Sequence, residues 1–200
     1  CIDIDRAGMT VINTPHIVDS LTMRSSEDVS EDTVIPVNRI DHSFINKIVM
    51  MTLQKDNPIS WIRQWIEYHH ANFGVDGFLI YDNNSSKYSA HDLESAIQMP
   101  GITVRVVEWN VPYGPQGFAY DHYNTWDSDY AQSSMFEHAK RRYVYGSRLA
   151  INCDIDELLV LRSGNLDHII DAIIKKNLVG YCYRGWWIEP YDAAHKRPAH

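Results

Sequence analysis

The chain has 200 residues, of which 44% are hydrophobic and 22% charged, long enough to bury a real core in one domain. Its formal net charge of −8 excludes broad nucleic-acid binding, which needs clustered Lys and Arg to displace counterions. No run of 18 apolar residues occurs, so no transmembrane segment is expected in this chain.

Residues 1–43 are polar and irregular, and the acidic, Ser-rich stretch from Ser25 to Asp32 reads as linker or surface loop. From Phe44 the pattern tightens. Within Ile45 to Leu53, the apolar run Ile48-Val49-Met50-Met51-Thr52-Leu53 has the look of a strand buried on both faces of a parallel sheet. Asn57 then offers a helix cap and Pro58 suits a first turn. Ile59, Ile62, Trp65, Ile66, His69 and Phe73 recur at helical spacing, and Gly74 is a natural stop. Gly77 to Tyr81 is a second apolar strand, ending in the polar turn Asp82-Asn83-Asn84-Ser85-Ser86. A short helix over His91–Ile97 and a third strand over Ile102–Val107 follow.

Residues Pro112 to Asp129, rich in Gly, Pro and aromatics, read as an extended loop. Tyr130 to Tyr145 predicts a helix with Ala131, Met135, Ala139 and Tyr143 on one stripe, closed by Gly146. Leu149 to Cys153 is a fourth strand, running into Asp154-Ile155-Asp156-Glu157. Asp167–Lys176 is a further helix and Val179–Trp187 a final strand-like segment. This alternation predicts an α/β fold, mainly parallel sheet flanked by helices, with ligands bound beyond the carboxyl ends of the strands.

Cys1, Cys153 and Cys182 are too few and too scattered for a disulfide framework or a zinc site. Cys153 and Cys182 fall in apolar runs and are expected to be buried free thiols. No signal peptide is expected within these residues. Cys1 and the polar end Lys196 to His200 read as the edges of a piece of a longer protein. The expected compartment is cytoplasmic, with any membrane association carried by parts outside this chain.

Asp154 and Asp156 carry the strongest chemical signal. Two carboxylates one residue apart, just past a buried strand, can both reach one hard cation, Mn²⁺ or Mg²⁺, which favours oxygen ligands and substrate phosphates. Without a cation, those carboxylates would repel a diphosphate by about 4 kcal/mol per unit-charge pair at ~4 Å and an effective dielectric of ~20. The bland alternative is a surface turn in which Asp156 or Glu157 caps a helix.

After the second strand, Asp82 suits ribose hydroxyls or a base N–H, and the amides of Asn83 and Asn84 can reach base edges; the alternative is a plain turn. After the first strand, Lys55 is placed for phosphate at a helix N-terminus. His69, on the apolar stripe of its helix, is a packed histidine. His195, and less specifically His200, could fold back as a third metal ligand. Trp186-Trp187 offers a platform for a sugar face or packs in the core.

Together these segments carry a family resemblance. Thr-Leu-Gln-Lys-Asp-Asn-Pro from Thr52, Glu67-Tyr68-His69-His70, Gly77 through the Tyr81-Asp82-Asn83-Asn84-Ser85 turn, Gln132, and Asn152-Cys153-Asp154-Ile155-Asp156-Glu157-Leu158 resemble glycosyltransferase family 92 and related family 2-like enzymes over residues 45 to 165. The resemblance implies a GT-A type nucleotide-diphospho-sugar transferase fold; the domain is expected over residues 44–200, with part of its C-terminus beyond this chain. It implies a nucleotide-diphosphate sugar donor, a glycan or other hydroxyl acceptor, and Mn²⁺ or Mg²⁺.

By the same resemblance Asp82 touches the nucleoside, Asp154 the ribose or metal, and Asp156 the metal. Lys55, Asn57, Asn83, Asn84 and Gln132 complete the candidate donor site. The acidic residue the family carries in the first turn is Asn57 here, and Leu158 stands where it has an aromatic. An inverting reaction needs a carboxylate base; Glu189 and Asp192 are the candidates. The expected function is metal-dependent hexosyl transfer, in polysaccharide biosynthesis. A catalytically silent nucleotide-sugar or glycan-binding module is the alternative. A phosphohydrolase is disfavoured, since its Asp-x-Asp follows the first strand.

Overall fold

A computed structural model describes residues 2–4, 7–9, 18–23, 33–114, 118–120, 123–125, 130–162 and 165–186. It divides into two units, residues 1–162 and 163–200. The first contains β1 (Ile2–Ile4), β2 (Ala7–Met9), β3 (Ser20–Met23), β4 (Thr33–Pro36), β5 (Ile48–Gln54), α1 (Ile59–Phe73), β6 (Gly77–Asp82), α2 (Ala90–Ile97), β7 (Thr103–Glu108), β8 (Phe118–Tyr120), β9 (Tyr123–Thr125), α3 (Tyr130–Arg142) and β10 (Leu149–Asn152). The second contains α4 (Leu166–Lys175), capped by the Asn165 side chain, which accepts the His168 N–H.

The four apolar runs become one four-stranded sheet, ordered β10-β5-β6-β7, and every pairing in it is parallel. The chain is α/β, a parallel sheet flanked by helices, consistent with a nucleotide-sugar transferase fold. Side chains alternate across a strand, so each strand feeds two layers. Val49, Leu79 and Tyr81 join Met135 and Ala139 of α3, Tyr143 just past its end, and Phe44 in one core cluster. The opposite face receives α1: Trp65 packs edge-on against Phe78, ring centroids 5.6 Å apart. Ile62, Trp65, Ile66 and His69 are buried along one helical stripe, as the spacing predicted. Burying each of the larger apolar side chains stabilises by roughly 2–3 kcal/mol.

Polar side chains close the gaps between layers. Arg63 donates to Ala96 O (2.8 Å), tying α1 to α2. Glu94 of α2 accepts the Val106 N–H (2.7 Å). Asp76 accepts the Ile48 N–H (2.8 Å) where β5 begins. At Gly77 an added Cβ would lie 2.8 Å from Phe44 and 3.0 Å from Val49, so the sheet packs there only on glycine.

Several boundaries differ from expectation. α1 begins after Pro58, which makes no side-chain cap bond; Asn57 is drawn instead toward Gln54. Gly74 ends the helix in the left-handed region (φ 67°), as expected. α2 begins one residue before His91 because Ser89 and Asp92 form a reciprocal capping box. α3 stops at Arg142, before Gly146, which lies against Ile45 and accepts the Asn46 N–H (2.8 Å).

The polar N-terminal stretch carries two short antiparallel pairs, β1–β2 and β3–β4, and the aromatic loop carries a third, β8–β9. The strand expected over Val179–Trp187 is absent across its described residues, 179–186. Val179, Tyr181, Tyr183 and Trp186 are exposed there, and a lone segment with no neighbouring strand has no ladder to join. Cys182, expected buried, is exposed for the same reason, whereas Cys153 is buried.

Candidate functional site at the carboxyl ends of the sheet

Sheet order decides where the polar turns meet. The chain runs from β5 outward through β6 to β7, then returns to place β10 on the other side of β5. That reversal is a switch point, and ligands of open α/β sheets bind beyond the strand ends at such points. The turn after β5 carries Lys55 and Asn57; the turn after β10 carries Asp154 and Asp156. Asp82 ends β6, paired in register with Gln54 at the end of β5.

The first two turns are bonded into one unit. Gln54 is buried (4% exposed) at the hub. Its amide nitrogen donates to Asp82 Oδ1, and its oxygen accepts from Tyr88 Oη (3.0 Å) and the Asn57 N–H (3.3 Å). Asp82, 3% exposed, also accepts the Ser85 hydroxyl and, on Oδ2, the Ser85 N–H (3.3 Å). A buried carboxylate is tolerated only with such partners. Asp56, in the left-handed region (φ 56°), accepts the N–H groups of Ser86 (2.7 Å) and Lys87 (3.1 Å). Those bonds hold its carboxyl below the usual range, the Ser86 N–H contributing most.

The remaining candidates separate by surroundings. Both amide hydrogens of Asn83 go to loop carbonyls, Trp109 O (2.8 Å) and Val111 O (2.7 Å). Asn84 is exposed and left-handed (φ 59°), a conformation Asn tolerates. Lys55 is exposed, and Gln132 is half-buried in the first turn of α3.

Past β10, Glu157 N–H donates to Asp154 O (3.0 Å) and the Glu157 carboxylate accepts the Asp154 N–H (3.1 Å), closing a tight turn. Burial pushes the Asp154 carboxyl up, and Glu157 and Asp156 push it further. Asp156 is exposed. This turn therefore gathers negative charge from Asp154, Asp156 and Glu157. His69 is buried and packed, as the helical stripe implied. Glu189, Asp192, His195, His200 and Trp187 lie outside the described residues; Trp186 is 72% exposed, with the Arg184 guanidinium 5.9 Å from its ring centroid.

Residues 50–199 match the family model described as Glycosyltransferase family 92, three quarters of the chain. The chain belongs to glycosyltransferase family 92. No curated protein and no solved structure matches it. As a family 92 domain it is a glycosyltransferase enzyme, acting with a sugar donor and an acceptor. No helix among its described residues is long and apolar enough to cross a membrane. In this family 92 chain, sequence pattern alone did not single out Gln54, Ser85 and Tyr88 as organisers of the turns after β5 and β6. A polar Gln closing an apolar strand was the available signal for the first of them.

Proposed function

We propose that this domain moves a hexose from a nucleotide-diphosphate sugar to a glycan or other hydroxyl acceptor, with Asp154 and Asp156 holding a divalent cation. One observation carries the reading: the switch in strand order, which sets the acidic turn of β10 beside the first turn of β5, with Asp82 one strand further. Asp82 takes the nucleoside end, its Oδ2 keeping acceptor capacity toward a ribose hydroxyl or base N–H. Lys55 and the start of α1 face the diphosphate. Asn83 acts by fixing the loop after β7, to which both its amide hydrogens are committed.

The donor set suits Mn²⁺ or Mg²⁺. It is all oxygen; burial and then repulsion from Glu157 and Asp156 raise the Asp154 carboxyl, and a cation would oppose both. No group of three or more His, Cys, Asp or Glu side chains able to hold a metal occurs among the described residues. Two carboxylates plus donor phosphates and water match the way Mg²⁺ is usually held. When bound, the cation offsets the charge that grows on the departing nucleoside diphosphate. Glu189 and Asp192 remain the candidate bases and His195 the candidate third ligand.

Calorimetric titration of UDP- and GDP-sugars, with and without Mn²⁺, tests this. Mn²⁺-dependent binding that Asp156→Ala abolishes supports it. Binding unchanged by chelation, or by Asp156→Ala, overturns the metal assignment.

A further inference from the structure

The turn bearing Asp154 and Asp156 is short, with three carboxylates around the buried Ile155, and its two ends are held very differently. Upstream, buried Cys153 donates its N–H to Met51 O (3.2 Å), extending the ladder between β10 and β5. Downstream, residues 157–162 form no strand or helix. There Leu159, 8% exposed, is gripped from α1 by two consecutive side chains. The Tyr68 hydroxyl donates to Leu159 O (3.0 Å), and His69 Nε2 accepts the Leu159 N–H (3.1 Å).

His69 can accept there because its other nitrogen, Nδ1, lies 2.8 Å from Trp65 O, which fixes the proton on Nδ1. Burial disfavours the charged imidazole, keeping Nε2 bare. Both backbone groups of Leu159 are thus satisfied by side chains, as a neighbouring strand would satisfy them. The ring is wedged in place by Trp65 (5.1 Å between centroids) and Tyr68 (5.0 Å).

We propose that Tyr68 and His69 are positioning residues: by clipping Leu159 to α1 they preset the Asp154–Asp156 turn for the cation and diphosphate. The clip rests on the donor reading given above. Neither side chain need touch the ligand. Repulsion among Asp154, Asp156 and Glu157 favours an open turn before a cation arrives, and two fixed anchors oppose that opening. A turn already in place spares the ordering that binding would otherwise cost.

The test uses the whole chain with Mn²⁺ and whichever of UDP or GDP the wild type binds. His69→Phe keeps an aromatic ring and removes the acceptor; His69→Gln returns an amide oxygen near the Nε2 position; Ile62→Val trims a buried α1 side chain about two turns before the clip. His69→Phe should weaken Mn²⁺–nucleotide binding about tenfold, the scale seen when outer partners of ligands are removed. His69→Gln should recover most of that loss, and Ile62→Val should bind as wild type. Amide exchange of residues 154–159, measured without any ligand, should speed up in His69→Phe and return toward wild type in His69→Gln.

If His69→Phe fails to fold, Tyr68→Phe, which deletes a single hydroxyl, takes its place in both measurements. Wild-type affinity in a folded His69→Phe, or an equal loss in Ile62→Val, overturns the proposal. A wild type that binds neither nucleotide with Mn²⁺ overturns the donor reading and the functional half of the clip together. The exchange result then still decides, by itself, whether the clip holds the turn.

Discussion

Replacing Gln54 by Leu should destabilise the domain by about 2 kcal/mol. The bond from its amide to the buried Asp82 carboxylate is charge-assisted, worth about 2 kcal/mol, and the bonds its oxygen accepts from Tyr88 and Asn57 add about 1 kcal/mol together. Apolar burial of Leu returns about 1 kcal/mol. Urea denaturation measures the balance, and the thermal midpoint should fall by roughly 4–8 °C. A cost below about 0.5 kcal/mol, the size expected of an ordinary surface substitution, would refute the view of Gln54 as the tie between the two turns.

Gln54→Glu sharpens the test. It sets a carboxyl against the Asp82 carboxylate, with repulsion of about 4 kcal/mol at ~4 Å and an effective dielectric of ~20. The introduced carboxyl should therefore titrate higher when folded than when unfolded. Stability from the shared proton is present at low pH and lost as pH rises through the folded value. The variant's deficit relative to wild type should be small at pH 5 and large at pH 8. A deficit that does not grow with pH would show that the two side chains do not meet.

Asp154→Asn should stabilise the metal-free chain at neutral pH while weakening Mn²⁺ binding. The folded carboxyl is raised above its unfolded value by burial and its acidic neighbours, so its ionised form costs stability once pH exceeds the folded value; thermal denaturation with a chelator, beside Mn²⁺ titration, checks both signs. Gly77→Ala should cost about 1–3 kcal/mol through overpacking against Phe44 and Val49, read by denaturant midpoint. Ser89→Ala should cost about 1 kcal/mol by removing the α2 cap. The Cys153 thiol, pushed up to about 12 chiefly by burial, should resist iodoacetamide at pH 8 in the native chain while Cys182 reacts, as peptide mass spectrometry would show.

The parallel sheet was readable in the sequence because strands buried on both faces leave continuous apolar runs, as β5 and β6 did, while the half-buried β10 left a shorter one. α1 was readable because its buried stripe and Gly74 are local signals. The network around Gln54 was not, since its partners other than Asn57 lie 28 to 34 residues away in sequence. The grip of α1 on Leu159 joins residues 90 and 91 positions apart, and no periodicity encodes such a contact. The short hairpins escaped notice because strands of three or four residues leave too little alternation to detect. The segment 179–186 misled in the opposite sense: its aromatic and β-branched content suits a strand, but pairing depends on a neighbour that composition does not reveal.

The order of the sheet also has a temporal side. β5, β6 and β7 follow one another in the chain with only short crossovers between them, whereas β10 joins β5 after about a hundred intervening residues, a closure whose entropy must be met before any contact rewards it. During synthesis the Gln54–Asp82 half leaves the ribosome well before the acidic turn that faces it. The switch point at the carboxyl ends of the sheet is therefore completed by the arrival of a four-residue strand. Any ligand that spans both halves binds only after that arrival and, by mass action, holds the late strand in place.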